Sequence, residues 1–180
     1  MIKNKNILLG VTGSIAAYKA CFLLRLLKKE GANVKVMMTK SATDFVSPLT
    51  FSVLSENKVS IEFQENNAWN NHVELASWAD FLIIAPASAN TLSKMAHGLC
   101  DNLLLATYLS AICPVFIAPA MDLDMFAHST TQKNIKLLSA IHPILYPEYG
   151  ELASGLVGLG RMMEPEHIIT YLQNWDGFKK

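Results

Sequence analysis

The sequence predicts an α/β fold, a three-layer doubly wound parallel sheet, and three observations carry that expectation. Three short apolar runs, residues 7–11, 81–85 and 115–118, have the unbroken hydrophobic character of strands buried on both faces, and 34–38, interrupted only by Lys35, reads as a further strand. Segments with helical spacing of apolar residues lie between them, and this strand-then-helix alternation builds parallel sheets covered on both sides. The loops that follow the strands are rich in glycine and hydroxyl residues, at the carboxyl ends of the strands where ligands bind in such folds.

The first run, Ile7-Leu8-Leu9-Gly10-Val11, ends at Thr12-Gly13-Ser14. From residue 15 to 30, Ala16, Ala20, Leu23, Leu24 and Leu27 fall on one helical stripe, with Ser14 placed to cap the start and Gly31 to end it. A second strand over 34–38 leads to a turn near Lys40-Ser41, a short helix after Pro48, a weak strand over 59–63 and an asparagine-rich loop over 66–71. A short helix over 73–78 precedes the central strand, 81–85, which runs into Pro86-Ala87-Ser88-Ala89-Asn90-Thr91 and a helix through Ala96. Two more units follow, a helix over 102–111 before the strand 115–118 and a helix over 130–141 before a strand over 144–146. A glycine-rich segment, 150–160, precedes a last helix from Pro165 to about Asn174. With no internal repeat, the reading is one domain over 1–175, and 176–180 is a tail or the start of a linker.

A chain of 180 residues is the length of one α/β domain, and 51% apolar against 17% charged residues excludes a disordered polypeptide. Fifteen basic residues balance fifteen acidic ones, so there is no bulk charge to recruit nucleic acid or an anionic membrane, and a small molecule is the expected partner. So little charge beside so much apolar surface also points to burial against other subunits. Cys21, Cys100 and Cys113 are odd in number and have no paired-ligand spacing, which argues against zinc and a disulfide framework and for a reducing cytoplasm. The uncharged stretch 102–121 is broken by Pro114 and Pro119, so it reads as a buried helix and strand rather than a membrane span. The N-terminus lacks the long apolar region of a signal peptide.

Gly10-Val11-Thr12-Gly13-Ser14 joins a strand to a helix, so its N–H groups and the helix dipole can hold a phosphate. Only two glycines are present and Glu62 lies too far on to bind a ribose, so a mononucleotide suits the loop better than a dinucleotide; a plain tight turn is the competing reading. In 86–91, two hydroxyls and an amide can meet a phosphate or a heterocycle, or simply cap a helix. Asp122 and Asp124 in the segment 118–126 fit a helix start equally well. His72 stands between a polar loop and a short helix, a place from which a histidine can move a proton near neutral pH; His97, His128, His142 and His167 default to surface or capping roles.

Five segments occur together in one order and spacing: Gly13-Ser14-Ile15-Ala16-Ala17-Tyr18-Lys19, the His72 segment, 86–91, Gly98-Leu99-Cys100-Asp101-Asn102-Leu103-Leu104, and 118–125. In these the chain resembles the homo-oligomeric flavin-containing cysteine decarboxylases, in particular their phosphopantothenoylcysteine decarboxylase domains, from Ile7 to about Ile169. The resemblance implies a Rossmann-like flavoprotein with FMN at a subunit interface of a homotrimer, often assembled as a homododecamer. It implies that Gly13, Ser14, Ile15, Thr39, Ser41, Phe45, Ser88, Ala89, Asn90 and Thr91 lie near the flavin, that Met121 borders it, and that His72 is the base. The implied reaction oxidises the cysteine side chain of 4′-phosphopantothenoylcysteine to a thioaldehyde, releases CO₂ to leave an enethiol, and reduces that to 4′-phosphopantetheine in coenzyme A biosynthesis.

Two positions depart from the family pattern. Asp122 stands where asparagine is usual, and Ser154, in a glycine-rich flap read as a mobile lid, stands where a cysteine proton donor is usual. Both are therefore expected in the catalytic set, with protonated Asp122 as the acid that makes up for a weakly acidic serine. Family members usually continue into a ligase domain, which implies a phosphopantothenoylcysteine synthetase, fused or separate, as partner, with Lys180 about where the linker would begin. Two other readings of such a chain are a flavin prenyltransferase, whose Arg-Glu-x-Pro segment is missing after Cys113, and a non-catalytic FMN-binding regulatory subunit, whose acidic extensions are missing.

Overall fold

The computed structural model describes residues 2–65 and 68–177. Strand β1 (Asn6–Val11) is followed by helix α1 (Ala17–Lys29), β2 (Asn33–Met38), a 3₁₀ turn over Lys40–Asp44, α2 (Pro48–Ser55) and β3 (Val59–Ser60). Two-residue strands β4 (Gln64–Glu65) and β5 (Ala68–Trp69) precede α3 (His72–Trp78), β6 (Phe81–Ala87), α4 (Ala89–Ala96), α5 (Leu103–Ser110) and β7 (Val115–Pro119). The chain continues through α6 (Leu123–Ala127), α7 (Ser129–Ser139), β8 (Glu148–Glu151), β9 (Val157–Arg161) and α8 (Pro165–Asn174).

Five strands form one parallel sheet in the order β3-β2-β1-β6-β7. Side chains alternate across it, up to an irregularity between Ile84 and Ala87 near the end of β6. Ile7, Leu9, Val11, Val34, Val36, Ile83 and Phe116 enter a core shared with Leu23, Leu24 and Leu27 of α1 and Ile168 and Leu172 of α8. Leu8, Met37, Leu82, Ile84 and Ile117 point the other way, against Leu104, Leu105 and Tyr108 of α5, Leu92 of α4 and Leu138 of α7. Two cores on opposite faces of one sheet are the three-layer doubly wound arrangement that the apolar runs predicted. The strand order reverses between β1 and β6, which places the switch point, and the crevice that goes with it, at their carboxyl ends.

Caps explain several helix starts. Ser47 accepts from Leu49 N–H ahead of Pro48, Asn71 from Val73 and Glu74 N–H, and Asn102 from Leu105 N–H. The stripe read from α1 is buried at Ala16, Ala20, Leu23, Leu24 and Leu27, but the helix begins at Ala17, and the Ser14 hydroxyl accepts from Ala16 N–H at 3.2 Å while its carbonyl accepts from Ala17 N–H.

Three expectations are corrected. The strand expected over 144–146 is a single bridge between Ile144 and Ile117, because Pro143 and Pro147 bracket it and neither can donate to a ladder. The weak strand over 59–63 stops at Ser60, where β3 lies at the sheet edge. The glycine-rich flap is an antiparallel ribbon, β8 paired to β9. Among the described residues no helix is long and apolar enough to cross a membrane.

Candidate functional site

The loops after β1 and β6 are locked together at the switch point. The buried Thr12 hydroxyl donates to the Pro86 carbonyl and accepts from Ser88 N–H, both at 2.8 Å. Ser88 then caps α4, accepting from Thr91 N–H at 3.3 Å, and its hydroxyl lies 3.2 Å from that of Thr91. The third loop closes over the first: a Cβ on Gly13 would sit 2.6 Å from Ser41 Oγ, so only glycine permits this approach. Ser41 is placed by a 3.1 Å hydrogen bond with Thr39.

Above these loops lies a cleft of about 620 Å³, in the range of ligand sites. Gly13, Ser14 and Ile15 form one side with Ser88 and Ala89, Met121, Asp122 and Met125 form another, and Glu151, Leu152, Gly160, Arg161 and Met162 of the β8–β9 ribbon region close it. The ribbon is fastened to the wall: Met121 N–H donates to the Gly160 carbonyl at 3.1 Å, and Gly160 packs so closely on the Met121 carbonyl that a side chain would collide with it.

Lys19 of α1 also lines the cleft, although it is buried. Its Nζ donates to the Met162 carbonyl at 3.0 Å and to Glu164 Oε1 at 2.7 Å, and Arg161 bonds to the same carboxylate oxygen. Burial raises the Glu164 carboxyl, but hydrogen bonds and charge from Lys19 and then Arg161 outweigh it and hold the group below the ordinary carboxylate value.

The sequence pattern of the Flavoprotein family matches residues 1–176. The chain belongs to the flavoprotein family. This flavoprotein is 48% identical over 172 residues to the coenzyme A biosynthesis bifunctional protein CoaBC of Bacillus subtilis (strain 168), covering 94% of this chain and 42% of that protein. It is 42% identical over 175 residues to a probable phosphopantothenoylcysteine decarboxylase of Streptococcus mutans serotype c (strain ATCC 700610 / UA159), covering 94% of this chain and 98% of that one. The chain thus spans less than half the length of the bifunctional relatives and nearly all of the stand-alone one. Among solved structures, a cysteine-to-serine mutant of PPC decarboxylase complexed with pantothenoylaminoethenethiol superposes with a TM-score of 0.84 at 35% identity, covering 95% of this chain and 97% of that one. The FMN-binding protein AtHal3 gives 0.83 at 33%, covering 99% and 100%.

Of the residues singled out in the sequence of this flavoprotein, Gly13, Ser14, Ile15, Ser88, Ala89, Met121 and Asp122 come together around the cleft. Ser41 touches Gly13, and Thr39 and Thr91 support Ser41 and Ser88 from behind. Phe45 and Asn90 are exposed outside the lining. Ser154 sits exposed in the ribbon turn, its hydroxyl 3.5 Å from Leu156 N–H.

His72 also lies outside the lining, at the first turn of α3, half-buried with the rings of Phe63 and Trp69 edge-on to it. Its Nδ1 is buried and has no hydrogen-bond partner among the described residues. His128 caps α7, and His97 and His167 are exposed. His142 departs from the surface default, half-buried with Nε2 2.9 Å from the Tyr108 hydroxyl.

Lys19, Arg161 and Glu164 were given no role from sequence. Lys19 had a visible signal: three residues after Ala16 and four before Leu23, it falls on the buried stripe of α1, where a charge needs a partner.

Proposed function

We propose that this chain is an FMN-dependent carboxy-lyase that converts 4′-phosphopantothenoylcysteine to 4′-phosphopantetheine. The observation that carries this reading is the cleft at the switch point, set on a glycine and hydroxyl loop that fits a mononucleotide and walled by methionines. The names of the relatives and of the structural neighbours support the same chemistry.

The residues present fit FMN. Gly13 gives close backbone approach where any side chain would meet Ser41, and the N–H groups of the Ser14 and Ser88–Ala89 loops open helices α1 and α4, a setting suited to a phosphate. Met121 offers an apolar edge to a ring system. Bound there, FMN supplies the two-electron oxidation and reduction that the substrate's cysteine side chain undergoes.

The chain's own part is to orient, dry and protonate. Met121, Met125, Leu152 and Met162 exclude water from a carboxylate that must leave as CO₂. Asp122, in the wall, is the proposed proton donor, making up for the weakly acidic Ser154 on the ribbon. His72 is the proposed base, and its Nδ1 has no hydrogen-bond partner among the described residues. Because His72 is not in the lining of its own chain's cleft, it serves the cleft of a neighbouring copy in a homotrimer or homododecamer. Exposed Phe45, Leu49, Val53, Trp69 and Ile112 support such an assembly. The bifunctional relatives support a phosphopantothenoylcysteine synthetase, fused or separate, as partner, and coenzyme A biosynthesis supports a cytoplasmic setting.

The test is anaerobic incubation of the FMN-loaded protein with 4′-phosphopantothenoylcysteine, following CO₂ and product mass. Release of CO₂ with 4′-phosphopantetheine is expected; no CO₂ from a fully loaded protein ends the reading.

A further inference from the structure

We infer that Arg161 is the anion anchor of the cleft, the side chain that grips a phosphate or carboxylate on the ligand; the inference rests on the cleft being the substrate site. Two cations are among the described lining residues, and they differ in what they can offer. The Lys19 side chain is 7% exposed, and its Nζ is committed to Met162 and Glu164. The Arg161 side chain is 37% exposed, and its one hydrogen bond to the described residues goes to Glu164. A guanidinium carries five N–H donors in a planar fork, so most of that fork is unspent at the cleft.

The guanidinium is also held in place before any ligand arrives. A Cβ on Gly150 of β8 would fall 2.8 Å from Arg161 Cδ and closer still to Nη1, so the side chain lies flat across the first ribbon strand over Gly150. Glu164 fixes one edge of the fork but does not fully neutralise it, because the same Oε1 also serves Lys19. Nearby Glu148 is turned to Glu164 N–H and His167. Asp122 and Glu151 line the cleft without pairing to Arg161 among the described residues. A positioned fork with unspent donors is the group that binds phosphate or carboxylate through two parallel hydrogen bonds.

The proposed substrate has both anions, and binding measurements separate them without turnover. FMN-loaded wild type and Arg161→Gln are titrated calorimetrically with 4′-phosphopantetheine, which has the phosphate alone, pantothenoylcysteine, which has the carboxylate alone, and pantetheine, which has neither. Arg161→Gln is expected to weaken one of the anionic ligands by about 10- to 100-fold and to leave pantetheine within about twofold, and the affected ligand identifies the anion. Arg161→Lys, which keeps the charge and loses the fork, should fall between the two. Equal weakening of all three ligands, no weakening of either anion, or loss of FMN from Arg161→Gln overturns the assignment. Wild-type protein that binds the anionic ligands through Arg161 yet releases no CO₂ upholds the anchor while ending the decarboxylase reading.

Discussion

The hydroxyl of Thr12 joins Pro86 to Ser88 through two 2.8 Å hydrogen bonds, so the loops on either side of the switch point are held as one unit. Thr12→Val keeps the shape and removes both bonds, leaving the Ser88 N–H without that acceptor. It should cost about 1–3 kcal/mol in urea unfolding and lower the flavin-to-protein absorbance ratio, while Thr12→Ser keeps most of both. Unchanged stability in Thr12→Val would mean that the loops are held by other contacts.

His72→Asn should retain FMN and assembly but lose roughly 10²- to 10⁴-fold in decarboxylation rate, the usual worth of a positioned base. Asparagine lacks the ring that packs edge-on to Phe63 and Trp69, so only a modest loss of stability should accompany it. Turnover at the wild-type rate would reduce His72 to a loop residue.

Ser154 is exposed in the ribbon turn, whereas Asp122 is half-buried in the cleft wall. Full turnover should therefore survive Ser154→Ala, and Asp122→Asn should stall after CO₂ loss. Anaerobic single-turnover spectra with product analysis read this directly, as persistent reduced flavin and an enethiol product in Asp122→Asn alone. A stall in Ser154→Ala instead would make the serine the donor.

Burial holds the His142 imidazole below its ordinary value and raises the Tyr108 phenol, so the pair is neutral in the folded protein. The unfolded chain binds the histidine proton more readily. The stabilising contribution is thus complete above the ordinary value of about 6.5 and is lost as pH falls through the lower folded value. Melting temperature should drop more steeply from neutral to mildly acidic pH in wild type than in His142→Gln. Parallel slopes would remove His142 as a source of acid sensitivity.

The strands that define the sheet could be read because burial on both faces leaves an unbroken apolar run, as in Ile7-Leu8-Leu9 and Phe81-Leu82-Ile83-Ile84. Strands β4 and β5 are too short to show alternation, and an asparagine-rich turn signal hides them. The β8–β9 segment was read as a mobile lid from its glycines, and its strands were hidden because glycine is depleted in strands, yet Gly158 and Gly160 sit where Leu123 and the Met121 carbonyl come close. The same limit applies to the site. Gly13, Ser14, Ser88 and Met121 were visible as loops after strands, while Arg161 and Glu164 acquire a place only when the ribbon folds back onto Lys19, nearly the whole chain length away.

The ribbon is built inside out. Glycines 158 and 160 face the body, while Tyr149, Leu156, Val157 and Leu159 face solvent. Of the ribbon's own large apolar side chains only Leu152 is buried, so it brings little hydrocarbon of its own to the contact. Its position instead depends on a few polar links, Met121 to Gly160 and the carboxylate shared by Lys19 and Arg161. Added salt screens the more exposed Arg161–Glu164 link more than the buried Lys19–Glu164 one, and leaves apolar contacts unweakened. Ionic strength is therefore a handle on access to the cleft, and proteolytic nicking at the Ser154 turn should quicken as salt rises.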